Sequence, residues 1–154
     1  MSMLGGARVV FSGKAGTLLV PREYGYVIFV VIFYTFILFW KEVKVGQARK
    51  RFNVKYPTMY ENKEDSHFNC YQRAHQNTLE KTPTFLVLIL LGGIYAPIFC
   101  SICGLIWCFG RIQYALGYYS GDPKKRMRGT FGYIGLLGLL GATVALALSL
   151  LEVI

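Results

Sequence analysis

Four long apolar segments restrict the fold of this chain more than any other feature of its sequence. They run over residues 24–40, 78–95, 97–119 and 129–154. A helix needs about 20 predominantly apolar residues to cross the hydrocarbon core of a bilayer, and each segment is close to that length. At 54% hydrophobic residues, the chain is too apolar for a soluble domain of this size. The sequence therefore predicts an all-α membrane protein, a bundle of four transmembrane helices.

The four segments predict one domain over residues 22–154, because only a short turn before Pro97 separates the second from the third. Residues 1–21 carry no acidic side chain, and they lack the apolar core and cleavage site of a signal peptide. We expect them to form an N-terminal extension that is poorly ordered or that targets the protein to an organelle.

Basic residues cluster in two of the connections between the apolar segments. Nine of the 17 Lys and Arg residues lie between Lys41 and Lys81, and another group runs from Lys124 to Arg128. In a four-span topology both clusters fall on the same side of the membrane, which the positive-inside rule predicts to be cytosolic. The same charges could bind nucleic acid, but a four-span membrane protein makes a nucleic-acid partner improbable.

The four cysteines do not predict a metal site. Cys100, Cys103 and Cys108 lie inside the apolar third segment, where thiols behave as small hydrophobic side chains. Zinc would need a second pair of cysteines or nearby histidines. We therefore expect no metal cofactor.

Glycine recurs at every third position of the fourth segment, from Gly129 to Gly141. Small residues let helix backbones approach closely in lipid, where burial of apolar area gives little drive for association. The pattern predicts that the fourth helix packs tightly against its neighbours.

Two polar stripes interrupt the apolar segments at the ends nearest the basic loops. At 100 degrees per residue, Arg73, Asn77 and Glu80 fall on one face of the second helix, and Arg111, Tyr114 and Tyr118 on one face of the third. Arg73 and Glu80 could simply pair with each other, and the tyrosines could belong to an interfacial aromatic belt. Because ionisable groups in a membrane span cost several kcal/mol unless paired, we expect the two stripes to share one polar pocket.

Such a pocket offers several cations, one carboxylate, an amide and two phenols. Guanidinium groups bind carboxylates, and a carboxylate binds a cationic amine, so the inventory suits a small zwitterion with more than one carboxylate. Glutathione has that chemistry. A lipid-facing groove beside the pocket would take an apolar co-substrate.

Several separate motifs resemble one family in the same order along the chain. "EYGYVIFV", "QARKRFNVKYPTMY", "FNCYQRAHQNTLE" and "RIQYALGYYSGDPKKRMRG" are similar to the membrane-associated proteins in eicosanoid and glutathione metabolism, and most closely to their type-3 microsomal glutathione transferases. The resemblance implies a homotrimer that binds glutathione between neighbouring subunits, near the cytosolic ends of the helices. It also implies the endoplasmic reticulum membrane, with the mitochondrial outer membrane as the alternative.

The resemblance assigns roles to individual residues. The implied glutathione contacts are Arg49, Arg73, His75, Asn77, Glu80, Arg111, Tyr114 and Tyr118, with Arg49 reaching in from the neighbouring subunit and Lys50 and Lys81 as secondary contacts. Arg126 matches the arginine that stabilises the glutathione thiolate if one residue is inserted after "GY". That insertion leaves Lys125 and Arg128 as rivals for the same role.

The implied activity is a glutathione transferase and peroxidase that acts on lipophilic electrophiles or lipid hydroperoxides. Leukotriene A is one such electrophile, but His75, Lys81 and Lys50 depart from the pattern of the leukotriene-synthesising members. The departures favour glutathione binding over efficient leukotriene synthesis. The alternative is a non-catalytic lipid-binding scaffold like the lipoxygenase-activating branch of the family, which lacks the counterparts of Arg73 and Glu80.

Overall fold

A computed structural model describes residues 20–153 of the chain, and nearly all of them lie in helices. The α-helices are α1 (Tyr24–Arg51), α2 (His67–Tyr95), α3 (Pro97–Tyr119) and α4 (Gly132–Leu150), and a short 3₁₀ helix (Pro123–Gly129) joins α3 to α4. Each α-helix is long and apolar enough to cross a membrane. The predicted architecture, an all-α bundle with four candidate membrane spans, is confirmed.

The helix ends differ from the apolar segments where polar residues continue or stop a helix. α1 runs past Trp40 to Arg51, and α2 begins at His67, where the Ser66 hydroxyl caps it by accepting from the Asn69 N–H at 3.1 Å. α4 begins later than predicted, because Gly129 closes the 3₁₀ helix that precedes it. Residues 1–19 of the expected extension lie outside the described residues.

The helices alternate in direction, and α2 and α3 form the central pair. Each of these two packs against both α1 and α4. The loop after α1 and the connection after α3 meet at one end of the bundle, where Gly121 lies against the His67 ring and the Cys70 Sγ lies 3.8 Å from the Gly121 carbonyl oxygen. Both basic clusters therefore lie at the same end of the fold.

The main core is built from one face of each helix. On α1 the buried positions Val27, Val30, Tyr34 and Ile37 alternate in spacing between three and four residues. That spacing keeps one stripe of a helix turned toward its neighbours. The next member of the same series is Lys41, which is also fully buried.

Glycines bring α3, α4 and the 3₁₀ helix into backbone contact. A Cβ added at Gly110 would lie 2.5 Å from the Gly132 Cα, and one at Gly135 would clash with the Cys103 carbonyl oxygen. The predicted tight packing is confirmed at these positions but not at Gly141, whose added Cβ would meet no heavy atom within 4 Å. A spacing of three falls about 60 degrees short of a full turn at every step, so the stripe rotates away from α3 before it reaches Gly141.

These contacts predict opposite effects for two alanine substitutions in α4. Gly135→Ala should destabilise the protein by about 1–3 kcal/mol, because the added methyl group overpacks a backbone contact. Gly141→Ala is the matched control, and alanine's higher helix propensity should leave it neutral or stabilising by up to about 1 kcal/mol. Thermal unfolding in detergent measures both changes, and equal melting temperatures for the two variants would contradict the packing described.

Candidate active site

The two predicted polar stripes meet at one depth in the bundle. Arg111 on α3 is only 2% exposed, and its Nη2 donates to the Asn77 Oδ1 of α2 at 2.9 Å. The same Nη2 donates to the hydroxyl of Thr78, the residue next to Asn77, at 2.8 Å. The guanidinium of α3 and the polar face of α2 therefore form one hydrogen-bonded unit.

A row of aromatic rings extends from this unit toward the 3₁₀ helix. The Arg111 guanidinium carbon lies 4.1 Å from the Tyr114 ring centroid, and the Tyr114 and Tyr118 rings meet edge to face at 5.2 Å. The Arg126 guanidinium carbon lies 6.0 Å from the Tyr118 centroid. Cations placed over ring faces at these distances are attracted by the ring quadrupole. The row brings four of the predicted residues together, and it includes Arg126.

The two rivals of Arg126 are also at the surface. Lys125 and Arg128 are exposed, and the Lys125 backbone, rather than its side chain, makes the close contact with α3 at Gly117. The Arg126 Nη1 donates to the Pro123 carbonyl at 3.1 Å, which orients the guanidinium within the 3₁₀ helix. Geometry therefore favours Arg126 as the cation associated with the tyrosine row.

Arg73 and Glu80 pair with each other on the outer face of α2. The Arg73 Nη1 lies 2.9 Å from the Glu80 Oε1, and Nη2 lies 3.4 Å from Oε2. Their side chains are 44% and 42% exposed. The pairing is the alternative that the sequence left open, and it spans the turn that carries Asn77. This face of α2 is accessible from outside the four-helix bundle.

Arg49 is held by its own chain. Its Nη1 donates to the Thr58 carbonyl at 2.8 Å and lies 3.4 Å from the carbonyl oxygens of Val54 and Lys55. The guanidinium carbon also lies 4.3 Å from the Tyr56 ring centroid. Arg49 therefore organises the loop after α1, and any contact with a neighbouring subunit would have to come from its other nitrogens.

The remaining predicted contacts lie off this unit. His75 is partly buried, and among residues 20–153 its Nδ1 has no hydrogen-bond partner. Lys50 is exposed at the end of α1, and Lys81 is partly buried beside Glu80. The structure does not bring these three side chains to Arg111 or to the tyrosine row.

Two residues at the centre of the site, Lys41 and Thr78, were not predicted from the sequence. The Lys41 Nζ is fully buried and donates to the Thr78 Oγ1 at 2.6 Å, so a buried amine and a buried guanidinium share one hydroxyl. Lys41 directly follows the predicted first membrane span, which ends at residue 40. Its place in the series of buried α1 positions was the signal that could have identified it.

Two apolar grooves lie along the surface between α1 and α3. An apolar groove of about 250 Å³ lies between α1 and α3, and its lining residues are Phe33, Phe36, Ile37, Trp40 and Ile112. A second apolar groove of about 500 Å³ lies toward the other end of the same two helices. Within residues 20–153, no group of three or more His, Cys, Asp and Glu side chains is placed to hold a metal ion.

Comparison with known proteins identifies the family. Residues 27–148 match the MAPEG family. Human microsomal glutathione S-transferase 2 is 36% identical over 104 residues, which cover 65% of this chain and 68% of that protein. Bovine leukotriene C4 synthase is 31% identical over 107 residues and 69% of each chain. An uncharacterised Synechocystis protein is 34% identical over 106 residues, 68% of this chain and 75% of its own.

The chain therefore belongs to the MAPEG family, as its motifs indicated. Family and fold together define a multi-pass membrane protein. The similarity to type-3 transferases in particular stays a prediction, since the relatives named above include a type-2 transferase and a leukotriene synthase.

The shared hydroxyl predicts a large effect for a small substitution. Thr78→Val keeps the shape of the side chain but removes the acceptor of both Lys41 and Arg111, so it should destabilise the protein by about 3 kcal/mol. Thr35→Val is the matched control, because the exposed Thr35 hydroxyl bonds only to the Val31 carbonyl of its own helix. Unfolding in mixed micelles measures both, and a Thr78→Val protein as stable as Thr35→Val would refute the shared role.

Proposed function

We propose that this protein is a membrane glutathione transferase that activates the glutathione thiolate for reaction with lipophilic electrophiles. The unit formed by Asn77, Arg111, Tyr114, Tyr118 and Arg126 carries the proposal. Related proteins named as a glutathione transferase and a leukotriene C4 synthase support it.

Glutathione would lie along the outer face of α2, closed over by a neighbouring subunit of a homotrimer. Arg73 and Glu80 are exposed there and paired, so they can exchange part of their mutual interaction for the ligand's carboxylate and ammonium groups. An exposed ion pair contributes only about 0–1 kcal/mol of free energy, so the ligand can replace it at little cost in free energy. Asn77 lies between them and would bind a peptide group of the ligand.

Arg126 would hold the sulfur. A thiol with a pKa of about 8.5 is only a few per cent ionised at pH 7, and the thiolate is the nucleophile. Lowering that pKa by about two units needs roughly 2.7 kcal/mol of preferential stabilisation of the thiolate. One guanidinium at the sulfur in a partly dry cleft can supply that amount.

The apolar partner would reach the sulfur from the bilayer, through the groove between α1 and α3. The thiolate attacks an electrophilic carbon, a C–S bond forms, and the leaving group departs with the displaced electron pair. With an epoxide such as leukotriene A, the ring oxygen takes up a proton instead. With a lipid hydroperoxide, attack on the peroxide oxygen would give an alcohol and a glutathione sulfenic acid, which a second glutathione converts to the disulfide and water.

The alternative is a non-catalytic lipid-binding scaffold. Arg73 and Glu80 argue against it, because a scaffold for lipids has no use for an exposed cation and carboxylate along the polar face of a span. We place the protein in the endoplasmic reticulum, with the basic loops and the site toward the cytosol.

Turnover by the purified protein tests the proposal. In detergent it should form the thioether of glutathione and a chromogenic electrophile, and glutathione should raise its melting temperature. A fatty-acid hydroperoxide in place of the electrophile tests the peroxidase reaction. A protein that binds lipid but neither consumes glutathione nor is stabilised by it would be the scaffold.

The pH dependence of turnover tests the role of Arg126. Arg126→Ala should return the thiol pKa toward about 8.5, so the rate at pH 7 should fall roughly 25-fold if the ionised fraction alone sets it. The deficit should shrink as pH rises through that pKa, because the thiol then ionises without help. Lys125→Ala and Arg128→Ala are the controls. A loss of rate in Arg126→Ala that does not depend on pH would contradict the role of Arg126 in stabilising the thiolate. So would a pH-dependent loss of rate in Lys125→Ala or Arg128→Ala in place of Arg126→Ala.

A further inference from the structure

Lys41 occupies a position where a lysine is costly. It follows Ile37 in the series of core positions of α1, is fully buried and has one hydrogen-bond partner, the Thr78 hydroxyl. Arg111 reaches the same hydroxyl, and among residues 20–153 no carboxylate oxygen lies within 4 Å of either cation. Removing a cation from water into a bundle core is unfavourable unless an opposite charge compensates it. An ionisable side chain inside a membrane span therefore indicates a functional role.

The Thr78 oxygen has no capacity left. Its O–H donates to the Ala74 carbonyl at 2.9 Å, so toward the two cations it can only accept. Lys41 takes one lone pair at 2.6 Å, and the Arg111 Nη2 takes the other at 2.8 Å. The Arg111 Nε lies farther from the same oxygen, at 3.3 Å. Lys41 thus limits Arg111 to one good hydrogen bond with Thr78.

The single good bond to Thr78 determines which acceptor the other N–H group of the Arg111 Nη2 can reach. The Nη2 has two N–H groups, and the one that Thr78 does not take donates to the Asn77 Oδ1 at 2.9 Å. The Asn77 Oδ1 is therefore turned toward Arg111, and because Asn77 shares a helical face with Arg73 and Glu80, its NH₂ group is left to act as a donor on that face. Without Lys41, the Arg111 Nε could shorten its 3.3 Å approach to the freed lone pair, and the turn of the guanidinium that this requires would draw the second Nη2 N–H away from the Asn77 Oδ1.

We propose that Lys41 is a positioning residue, which acts through Thr78 and Arg111 to present the Asn77 amide as a donor at the glutathione face. The proposal rests on the proposed function for its effect on turnover. Its effect on the orientation of Asn77 does not depend on any ligand. The amide donor would recognise a carbonyl or carboxylate oxygen of the bound tripeptide.

Lys41→Met tests the proposal in the purified full-length protein. Methionine is an unbranched apolar replacement, so a purely structural role predicts equal or greater stability and unchanged kinetics. We expect instead a rise of about tenfold in KM for glutathione with kcat within about twofold of the original value. Lys44→Met is the matched control, because Lys44 lies one turn farther along α1, is partly exposed and bonds only to Gln47. Equal KM values for Lys41→Met and the original protein would overturn the proposal.

A measurement without ligand separates this proposal from the proposed function. In protein labelled with ¹⁵N asparagine, the Asn77 side-chain NH₂ signal should shift and exchange faster with water in Lys41→Met than in Lys44→Met. If the Asn77 signal shifts in this way while the original protein fails to bind glutathione, the positioning role of Lys41 is supported and the proposed transferase function is refuted. If glutathione binds normally and the Asn77 signal does not shift, only the positioning role of Lys41 is refuted. If Lys41→Met does not fold, Lys41→Gln replaces it, because glutamine keeps an N–H donor. Lys41→Gln should show smaller changes in the KM for glutathione and in the Asn77 NH₂ signal. An unchanged Asn77 signal in Lys41→Gln would also overturn the proposal.

Discussion

The hydroxyl of Thr78 is the point on which the polar chemistry of this bundle depends. α1 reaches it through Lys41 and α3 through Arg111, while α2 supplies the oxygen itself. Lipid tails are as apolar as leucine, so area burial alone does little to hold helices together in a bilayer. Hydrogen bonds and close backbone approach have to specify the arrangement instead. One oxygen that accepts from two helices fixes three helices at the same depth.

Glycines provide the second part of that specification. Gly110 and Gly132 let α3 and α4 touch backbone to backbone, and Gly117 lets the 3₁₀ helix lie directly on α3. The contact at Gly117 brings the 3₁₀ helix, and with it the Arg126 guanidinium, within reach of the Tyr118 ring. The candidate site thus combines the buried hydrogen bonds at Thr78 with the exposed cation Arg126, which the backbone contact at Gly117 holds near Tyr118.

Much of this could be predicted from the sequence, since apolar length and spacing depend only on local chain geometry. The spans, the close approach at Gly135 and the meeting of the stripes at Asn77 and Arg111 all follow from such patterns. The pairing of Arg73 with Glu80 could not be decided, because the same spacing suits an internal ion pair and a ligand site. The face that Arg73 and Glu80 occupy is exposed in the four-helix bundle. Neither the sequence nor the fold of one chain therefore identifies what binds there.

Lys41 shows where sequence patterns mislead. A lysine at the end of an apolar run is usually taken as the boundary of the span, because a lysine there normally extends its ammonium group to water. Here the run of core positions on α1 continues through it, and α3 offers Arg111 at the same depth. The inward turn of the amine depends on the packing of three helices, so the sequence alone does not indicate it.

The proposed function requires that this polar layer binds glutathione and ionises its sulfur. Calorimetric titration of the purified protein at neutral pH, in buffers of different ionisation enthalpy, measures the protons released on binding. Glutathione should bind with release of about half a proton or more, whereas an analogue with a methyl group in place of the thiol should bind and release none. Equal proton release for the two ligands, or no binding of either, would contradict it.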